Sequence, residues 1–542
     1  MPAQLRFPQP GTPESDLTPV NDWDPSAQGQ APTPRVTVGL ARPALLGLAG
    51  TTAIAAGAML GGKTFETHLP GAWFFGMQGG WLGSFGSESA QPTIASLILV
   101  FGGLILLVRV WLQLLRHLKS NPGVPVRKIV LVAMVWAIPL IVAPPLFSRD
   151  VYSYAGQGEM VSHHIDPYEY GPGVLGTTPF STLGDEIWSN TPSPYGPVFL
   201  TADGLLDQAS GHHILVDLAL LRLLELGGLA LAVAATPTLA RSFGRDPAHA
   251  VLLGVGSPLA LTALLAGAHN DALMIGLLMA GLAVARRFGT VPGIVLCALA
   301  AGVKSPAALG VVFLGWLWAG EGASNWRRIA HTAAAGLIAA AVLELAGLVS
   351  GFGWGWVSDA TAADASFTGV TPVDAVSRLV WLLARVVHLE PGLMGIRTVF
   401  AAIGLLCAAA IGVTLLRRSP GDGLQRSLGL SLLALALLGP ILWAWYATWG
   451  IVVLAPLAWG RLRTAIIALI AWETFVSMAT LHKIATSIFH GGPVPDLLLV
   501  TLLLAVAVVP IGRMRTRGSA AHPSPSPSPR PEVGLPLALT AS

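Results

Sequence analysis

The residues best suited to chemistry in this chain stand where apolar runs stop. The run from Ile129 to Phe147 leads straight into Arg149 and Asp150. A carboxylate at such a boundary is costly to desolvate, and an ionisable group at membrane depth points to function by default. As a general base, Asp150 would take a proton from an attacking hydroxyl. Paired with Arg149, or left in water, it would be an ordinary interfacial acid. Behind it come Tyr152, Tyr154, Gln157, His163, His164, Asp166, Tyr168, Trp188 and Tyr195. Planar aromatics stack on sugar faces, and amide, carboxylate and imidazole groups bind hydroxyls. The same aromatics also suit a belt at a membrane interface. His163, His164 and Asp166 make only a weak metal pattern, so no metal site is expected.

Four further stretches add polar groups. In "AGAHNDALM", a helix starting after Asn270 would leave free N–H groups beside His269, Asn270 and Asp271. That arrangement suits an anion or a hydroxyl-rich ligand; equally, Asn270 or Asp271 would simply cap the helix. In "AAGVKSPAALG", Lys304 is isolated in apolar sequence, where an ammonium needs an anion or water. A phosphate suits it as a point-charge partner, and snorkelling to the surface is the alternative. "GPILWAWYATWG" supplies Trp443, Trp445, Tyr446 and Trp449 as a lipid or sugar platform, or again as a belt. His482 and Lys483 follow a later span as second phosphate contacts or as surface charge. One acid, several sugar-compatible groups and a few cations together fit transfer of a sugar from a lipid phosphate to a hydroxyl. Neither a GxxxxGK[ST] loop nor a convincing GxGxxG after a strand is present, which disfavours nucleotide-driven cytosolic chemistry.

The elements that must hold these groups are membrane helices. The chain has 542 residues, of which 53% are hydrophobic and 11% charged, against about 25% charged in a soluble domain. Its mean hydropathy is +0.66. Such a composition, spread over many long apolar runs, defines an all-α polytopic membrane protein. A net charge of +3, with the basic residues in short clusters between apolar runs, gives no indication of a nucleic-acid partner. The two cysteines, Cys297 and Cys407, both fall inside apolar spans, so no disulfide framework is expected.

Spans are expected at 38–62, 93–115, 128–147, 213–238, 249–267, 271–285, 291–303, 307–319, 328–350, 395–416, 427–445, 446–459, 464–480 and 495–511, a bundle of about 13–14 helices. The shorter ones come as pairs broken at Asn270, Lys304 and Tyr446. Broken helices at membrane depth are tolerated where protein or a cavity covers the freed backbone groups, so the breaks are expected cavity walls. The Lys/Arg bias of the short loops places both tails in the cytoplasm and Asp150 on the opposite side. Residues 1–36 and 513–542 read as disordered tails around a multi-span domain over 37–512. The main extracytoplasmic loops are 148–212 and 351–394. Short amphipathic helices are expected in them, for example Ser377–His388, with Val380, Trp381, Leu383 and Val387 on one side.

Taken in order, "SRDVYSYAGQGEM", "DPYEYGP", "WSNTPSPYGP", "HNDALM", "VKSPA" and "WAWYATWG" resemble the actinobacterial polyprenol-phosphate-mannose-dependent α-1,6-mannosyltransferases, membrane glycosyltransferases of the GT-C superfamily. The resemblance covers approximately residues 40–510. It implies a GT-C-like bundle in the plasma membrane and inverting transfer of mannose at the extracytoplasmic face. The donor would be polyprenol-phosphate-mannose, and the acceptor the 6-hydroxyl of a lipid-anchored α-1,6-mannan of the lipomannan and lipoarabinomannan core. Carried onto this chain, it makes Asp150 the base. Lys304 then stands where a donor-phosphate contact is expected, with Arg149, His482 and Lys483 as further candidates. Tyr152, Tyr154, Gln157, His163, Asp166, Tyr168, Tyr195, His269, Asn270 and Asp271 are the candidates for sugar and acceptor. No cofactor is expected. The superfamily acid usually follows the first span, whereas here it follows the third. A transporter or flippase for polyprenol-linked sugars, and a non-catalytic glycan-binding subunit, are the competing readings.

Overall fold

The computed structural model describes residues 39–65, 94–357, 371–389, 392–418, 423–476 and 493–508. Among these, all regular structure is helical. The first helices are α1 (Ala41–Gly61), α2 (Ile94–Ser120) and α3 (Val126–Val142). Two helices follow in the 148–212 segment, α4 (Asp150–Ser162) and α5 (Pro197–Ser210). Next come α6 (Ile214–Ser242), α7 (Pro247–Leu253), a π-helical stretch over Ala260–Ala266, and α8 (Asp271–Phe288). The remainder comprises α9 (Thr290–Ala301), α10 (Ala308–Trp318), α11 (Asn325–Ser350), α12 (Pro372–Val386), α13 (Leu393–Arg418), α14 (Gly423–Leu438), α15 (Ala447–Leu454), α16 (Gly460–Val476) and α17 (Pro493–Val508). Residues through Ala507 form one unit. Of the segment beyond it, only Val508 is described.

Five of these helices (α1, α2, α6, α11 and α13) are long and apolar enough to cross a membrane, and the bent pair Ala260–Ala266 plus Asp271–Phe288 makes up to six. The other expected spans that are described appear as shorter or interrupted helices. Leu337, Leu345 and Leu348 of α11, with Val399 and Leu406 of α13, present their side chains outward. Apolar faces of that kind, on helices this long, are what lipid covers. The chain is an all-α polytopic membrane protein.

Several boundaries differ from the sequence reading. The span expected at 128–147 stops at Val142, two residues after the apolar Leu140 and just before the Pro144–Pro145 pair, where proline withholds N–H donors. Asp150 therefore opens a helix rather than ending one. The span expected at 249–267 is two pieces, α7 and the π-helical stretch, separated around Gly254–Ser257. The break expected at Tyr446 lies earlier, over Gly439–Trp443, because Gly439 and Pro440 end α14; Tyr446 already sits in the 3-10 turn that leads into α15. The breaks at Asn270 and Lys304 fall where expected, the first with a 111° bend. The amphipathic helix of the second loop is α12, whose Val380 and Leu383 are exposed while Asp374 is buried between Arg378 and Arg397 at 2.6 Å each.

Two backbone contacts position the functional end of the bundle. A Cβ on Gly276 would lie 2.1 Å from the carbonyl oxygen of Gly228, so only glycine lets α6 and α8 approach this closely. A Cβ on Gly196 would lie 2.4 Å from the Gly302 carbonyl oxygen. That carbonyl accepts from the N–H groups of Val198 at 3.0 Å and Phe199 at 3.2 Å. The start of α5, with Tyr195 just before it, is thereby docked onto the break that carries Lys304.

Candidate active site

The site is built where four helix ends meet. Asp150 opens α4, Asp271 opens α8, Lys304 lies between α9 and α10, and Trp443–Tyr446 lie between α14 and α15, with Trp449 in the first turn of α15. The chain entering α4 is pinned from both sides. Leu146 donates its N–H to the Ala266 carbonyl and Phe147 donates to that of Phe65, each at 2.9 Å, and Phe147 takes a left-handed backbone at φ +69°. Ser148 Oγ then accepts the Asp150 N–H at 3.1 Å.

Helical periodicity sorts the side chains of α4. Asp150, Ser153, Tyr154 and Gln157, at i, i+3, i+4 and i+7, form one stripe, and all four line a cavity of about 520 Å³. That volume falls in the range of small-molecule sites. Tyr195, Lys304, Trp443, Tyr446 and Trp449 complete its polar and aromatic wall. Leu309, Val312, Leu405, Leu435 and Ile441 give it an apolar side. The cavity thus offers a carboxylate and an ammonium to one ligand, beside a surface suited to hydrocarbon.

Lys304 is not the lone cation that its sequence neighbourhood suggests. Its Nζ lies 2.8 Å from Oδ2 of the buried Asp271 and 4.8 Å from the centre of the Tyr446 ring. Trp449 donates its indole N–H to the other Asp271 oxygen, at 2.5 Å. Asp271 therefore serves as a counter-ion behind the cavity wall, not as a hydroxyl binder on its surface. A buried carboxylate is tolerable when it is paired and hydrogen-bonded in this way.

His269 stands behind Asp150. Its Nδ1 donates to the Ala263 carbonyl, which leaves Nε2 facing the Asp150 carboxylate at 3.6 Å. The imidazole stacks on Trp445 at 3.7 Å, and Trp445 stacks in turn on Trp443 at 5.0 Å. Ala268, next to it, has φ +51°, a conformation rare for a residue with a side chain. Burial pushes the Asp150 carboxyl above its ordinary value, and the charges of His269 and Lys304 work against that rise.

The remaining candidates divide by contact. Tyr154, Tyr195 and Phe199 meet edge to face at 5.2–5.5 Å. Gln157 Oε1 accepts the Ser193 hydroxyl at 2.9 Å. Tyr152, expected at the sugar, is fully buried and does not line the cavity, because two residues along a helix turn it away from the Asp150 stripe. Tyr168 is also a support: its hydroxyl donates to the Tyr195 carbonyl at 3.1 Å. Asp166 accepts the Tyr168 N–H at 2.8 Å and holds a turn. His163 lies at the far end of α4, beside Glu159 and His212. Arg149 and Asn270 do not line the cavity either; the Asn270 side chain is buried with neither Oδ1 nor Nδ2 hydrogen-bonded. His482 and Lys483 lie outside the described residues.

Arg222 was not among the expected site residues. Arg222, on α6, donates to the carbonyls of Ile141 at 2.8 Å, Ala143 at 2.5 Å and Ala266 at 3.4 Å, tying the end of α3 to the π-helical stretch beneath His269. An arginine inside an apolar run is itself the signal that could have found it.

A bundle of membrane helices that closes on an acid, a cation and an aromatic wall defines an integral-membrane protein with a cavity that is polar on one side and apolar on the other. The chain belongs to the alpha-(1->6)-mannopyranosyltransferase family, whose N-terminal domain matches residues 44–320 and whose MptB C-terminal domain matches residues 373–510. It is 33% identical over 444 residues to alpha-(1->6)-mannopyranosyltransferase A of Mycobacterium tuberculosis, covering 80% of this chain and 83% of that one. A probable alpha-(1->6)-mannopyranosyltransferase of Mycolicibacterium smegmatis is 30% identical over 77% of this chain and 79% of its own length. Alpha-(1->6)-mannopyranosyltransferase B of Corynebacterium glutamicum is 26% identical, over 86% and 80% respectively. No solved structure matches the chain significantly.

Proposed function

We propose that this protein transfers mannose from polyprenol-phosphate-mannose to the 6-hydroxyl of an α-1,6-mannan acceptor, with inversion at C1, on the extracytoplasmic side of the plasma membrane. The observation that carries this reading is the single cavity that shares Asp150 and Lys304 with an apolar wall. A lipid-linked sugar phosphate needs those three features together: a base for the acceptor, a cation for the phosphate and a surface for the prenyl chain. Family membership supports the sugar and the linkage.

In this mechanism the acceptor oxygen attacks C1 of the mannose and Asp150 takes the hydroxyl proton. The bond from C1 to the phosphate oxygen breaks, and its electron pair leaves with the polyprenyl phosphate. The sugar gains oxocarbenium character as this happens. Lys304 stabilises the charge gathering on the departing phosphate. His269 stands behind the base, its Nε2 3.6 Å from the carboxylate, while Tyr154, Gln157 and Tyr195 contact the sugar or the acceptor. Trp443, stacked on Trp445, and Tyr446, stacked on Trp449, form the platform between sugar and lipid. No metal is assigned to the transfer step.

The test is transfer by the purified protein from polyprenol-phosphate-mannose to a short α-1,6-mannoside. Wild type should make an α-1,6 product, and Asp150→Asn should lose about 10²–10⁴-fold in rate while still binding donor. Donor binding by wild type without any transfer would reject the enzyme reading in favour of a carrier or a binding subunit. Full activity in Asp150→Asn would remove Asp150 as the base.

A further inference from the structure

The far end of α4 gathers a second polar cluster that the transfer mechanism does not use. One ligand atom from each of Glu159, His163 and His212 lies within 4.8 Å of the other two. Glu159 Oε2 is 3.0 Å from His212 Nδ1, and His163 Nδ1 donates to the Glu159 carbonyl at 2.9 Å, which leaves Nε2 as its free ring nitrogen. Asp207, fully buried, brings Oδ2 to 2.8 Å from the same His212 nitrogen. Two donors bound at about 2.05 Å in a tetrahedral zinc shell are separated by about 3.3 Å, so the His212 contacts at 2.8 and 3.0 Å need open by only a few tenths of an ångström to hold a cation. The chain reaches this geometry from two elements. Glu159 and His163 are i and i+4 at the end of α4, and Asp207 and His212 flank the end of α5. His212 takes a left-handed backbone at φ +61°.

The charge of the cluster points the same way. Asp207 Oδ1 has no hydrogen-bond partner, and neither oxygen of the buried Asp203 or of the buried Asp217 has one. Ser162 donates to Asp207 Oδ2 at 2.6 Å but brings no charge. Buried carboxylates left without compensation are unfavourable, and they are normally paired or bound to metal. The two imidazoles, by contrast, are about half exposed, at 51% and 47% of their side-chain surface, so a cation has an aqueous path to the site.

We propose that Glu159, His163 and His212, backed by Asp207, form a site for a zinc-class divalent cation that clamps the end of α4 to the end of α5. Mixed imidazole and carboxylate donors favour zinc over magnesium or calcium, which take oxygen shells. The site is not the reaction centre: Glu159 is nine positions along α4 from Asp150, about 13 Å at 1.5 Å per residue. Its role is to hold at both ends the helix that carries the base.

The experiment uses the full chain, purified in detergent, stripped with a chelator and dialysed. Zn²⁺ is then titrated calorimetrically, and bound metal is counted by elemental mass spectrometry. One Zn²⁺ per chain is expected, together with a rise in unfolding temperature. His212→Gln and the double variant H163Q/H212Q should weaken Zn²⁺ binding at least a hundredfold. Both positions are half exposed, so the variants should keep the gel-filtration profile and helical circular dichroism of wild type. Mg²⁺ at the same concentration should neither bind nor raise the unfolding temperature. Two results would overturn the proposal: stripped, folded wild type that takes up no more Zn²⁺ than H163Q/H212Q, or Zn²⁺ binding that survives the double substitution. The first would leave His212 as the hydrogen-bonded neighbour of two carboxylates and nothing more.

Discussion

Lys304 Nζ sits 2.8 Å from Oδ2 of Asp271, a carboxylate 33 positions earlier in the chain and fully buried. The pair joins the breaks before α8 and α10 and leaves the ammonium at the cavity wall. Truncating one partner of a buried pair costs about 3–5 kcal/mol, because the other charge is left uncompensated, whereas removing both costs much less. Lys304→Met is therefore expected to lower the unfolding temperature more than K304M/D271N does. Donor KM should rise about tenfold or more in both variants, since each loses the phosphate contact, a difference of about 1.4 kcal/mol. Thermal unfolding and donor kinetics on the single and the double variant check both statements. Normal donor KM in Lys304→Met would remove the phosphate assignment.

The rate should report the raised carboxyl of Asp150. A base works in its deprotonated form, so its activity falls as pH drops through its pKa. Burial lifts that pKa above 3.8, and the acid limb of kcat/KM should stand correspondingly above the ordinary carboxylate range. Lys304 counters the rise, while Asp271 adds to it. Lys304→Met removes the opposing charge and frees the Asp271 charge, so both changes move the acid limb to higher pH. A pH–rate profile of the two proteins decides this; an acid limb that stays in place would separate the titrating group from Asp150.

Gly276→Ala tests the approach of α6 to α8. Its Cβ would meet the Gly228 carbonyl oxygen at 2.1 Å, and neither backbone has a flexible side chain that can yield. Overpacking of this kind costs about 1–3 kcal/mol. Because α8 begins at Asp271, the variant should also lose transfer activity. Unfolding in detergent and the transfer assay are the two measurements.

Arg222→Met should act through the backbone. It would leave the carbonyls of Ile141 and Ala143 without their guanidinium donor, at about 1–3 kcal/mol for each buried group left unsatisfied. The expected result is a lower unfolding temperature and faster hydrogen exchange of the residues around 141–147 and 263–269. Unchanged exchange there would mean that the carbonyls find other donors.

Composition and apolar run length alone determine that this chain is a polytopic helical membrane protein, since hydrocarbon leaves the backbone few other solutions. The breaks at Asn270 and Lys304 are legible for the same reason: a strong polar group inside an apolar run cannot face lipid. The break assigned to Tyr446 is displaced because Gly439 and Pro440, not the polar residue, stop the helix. What the sequence could not supply was direction and partnership. Tyr152 and Tyr154 look equivalent in a string, yet the turn of α4 sends Tyr154 to the cavity and Tyr152 to the core. Lys304 reads as unpaired until α8 brings Asp271 to it, and His163 reads as part of a sugar floor until α5 places His212 beside it. Those pairings join residues tens of positions apart through close helix contacts. A charge's neighbours, and with them its role, are decided by that packing and not by the residues beside it in the chain.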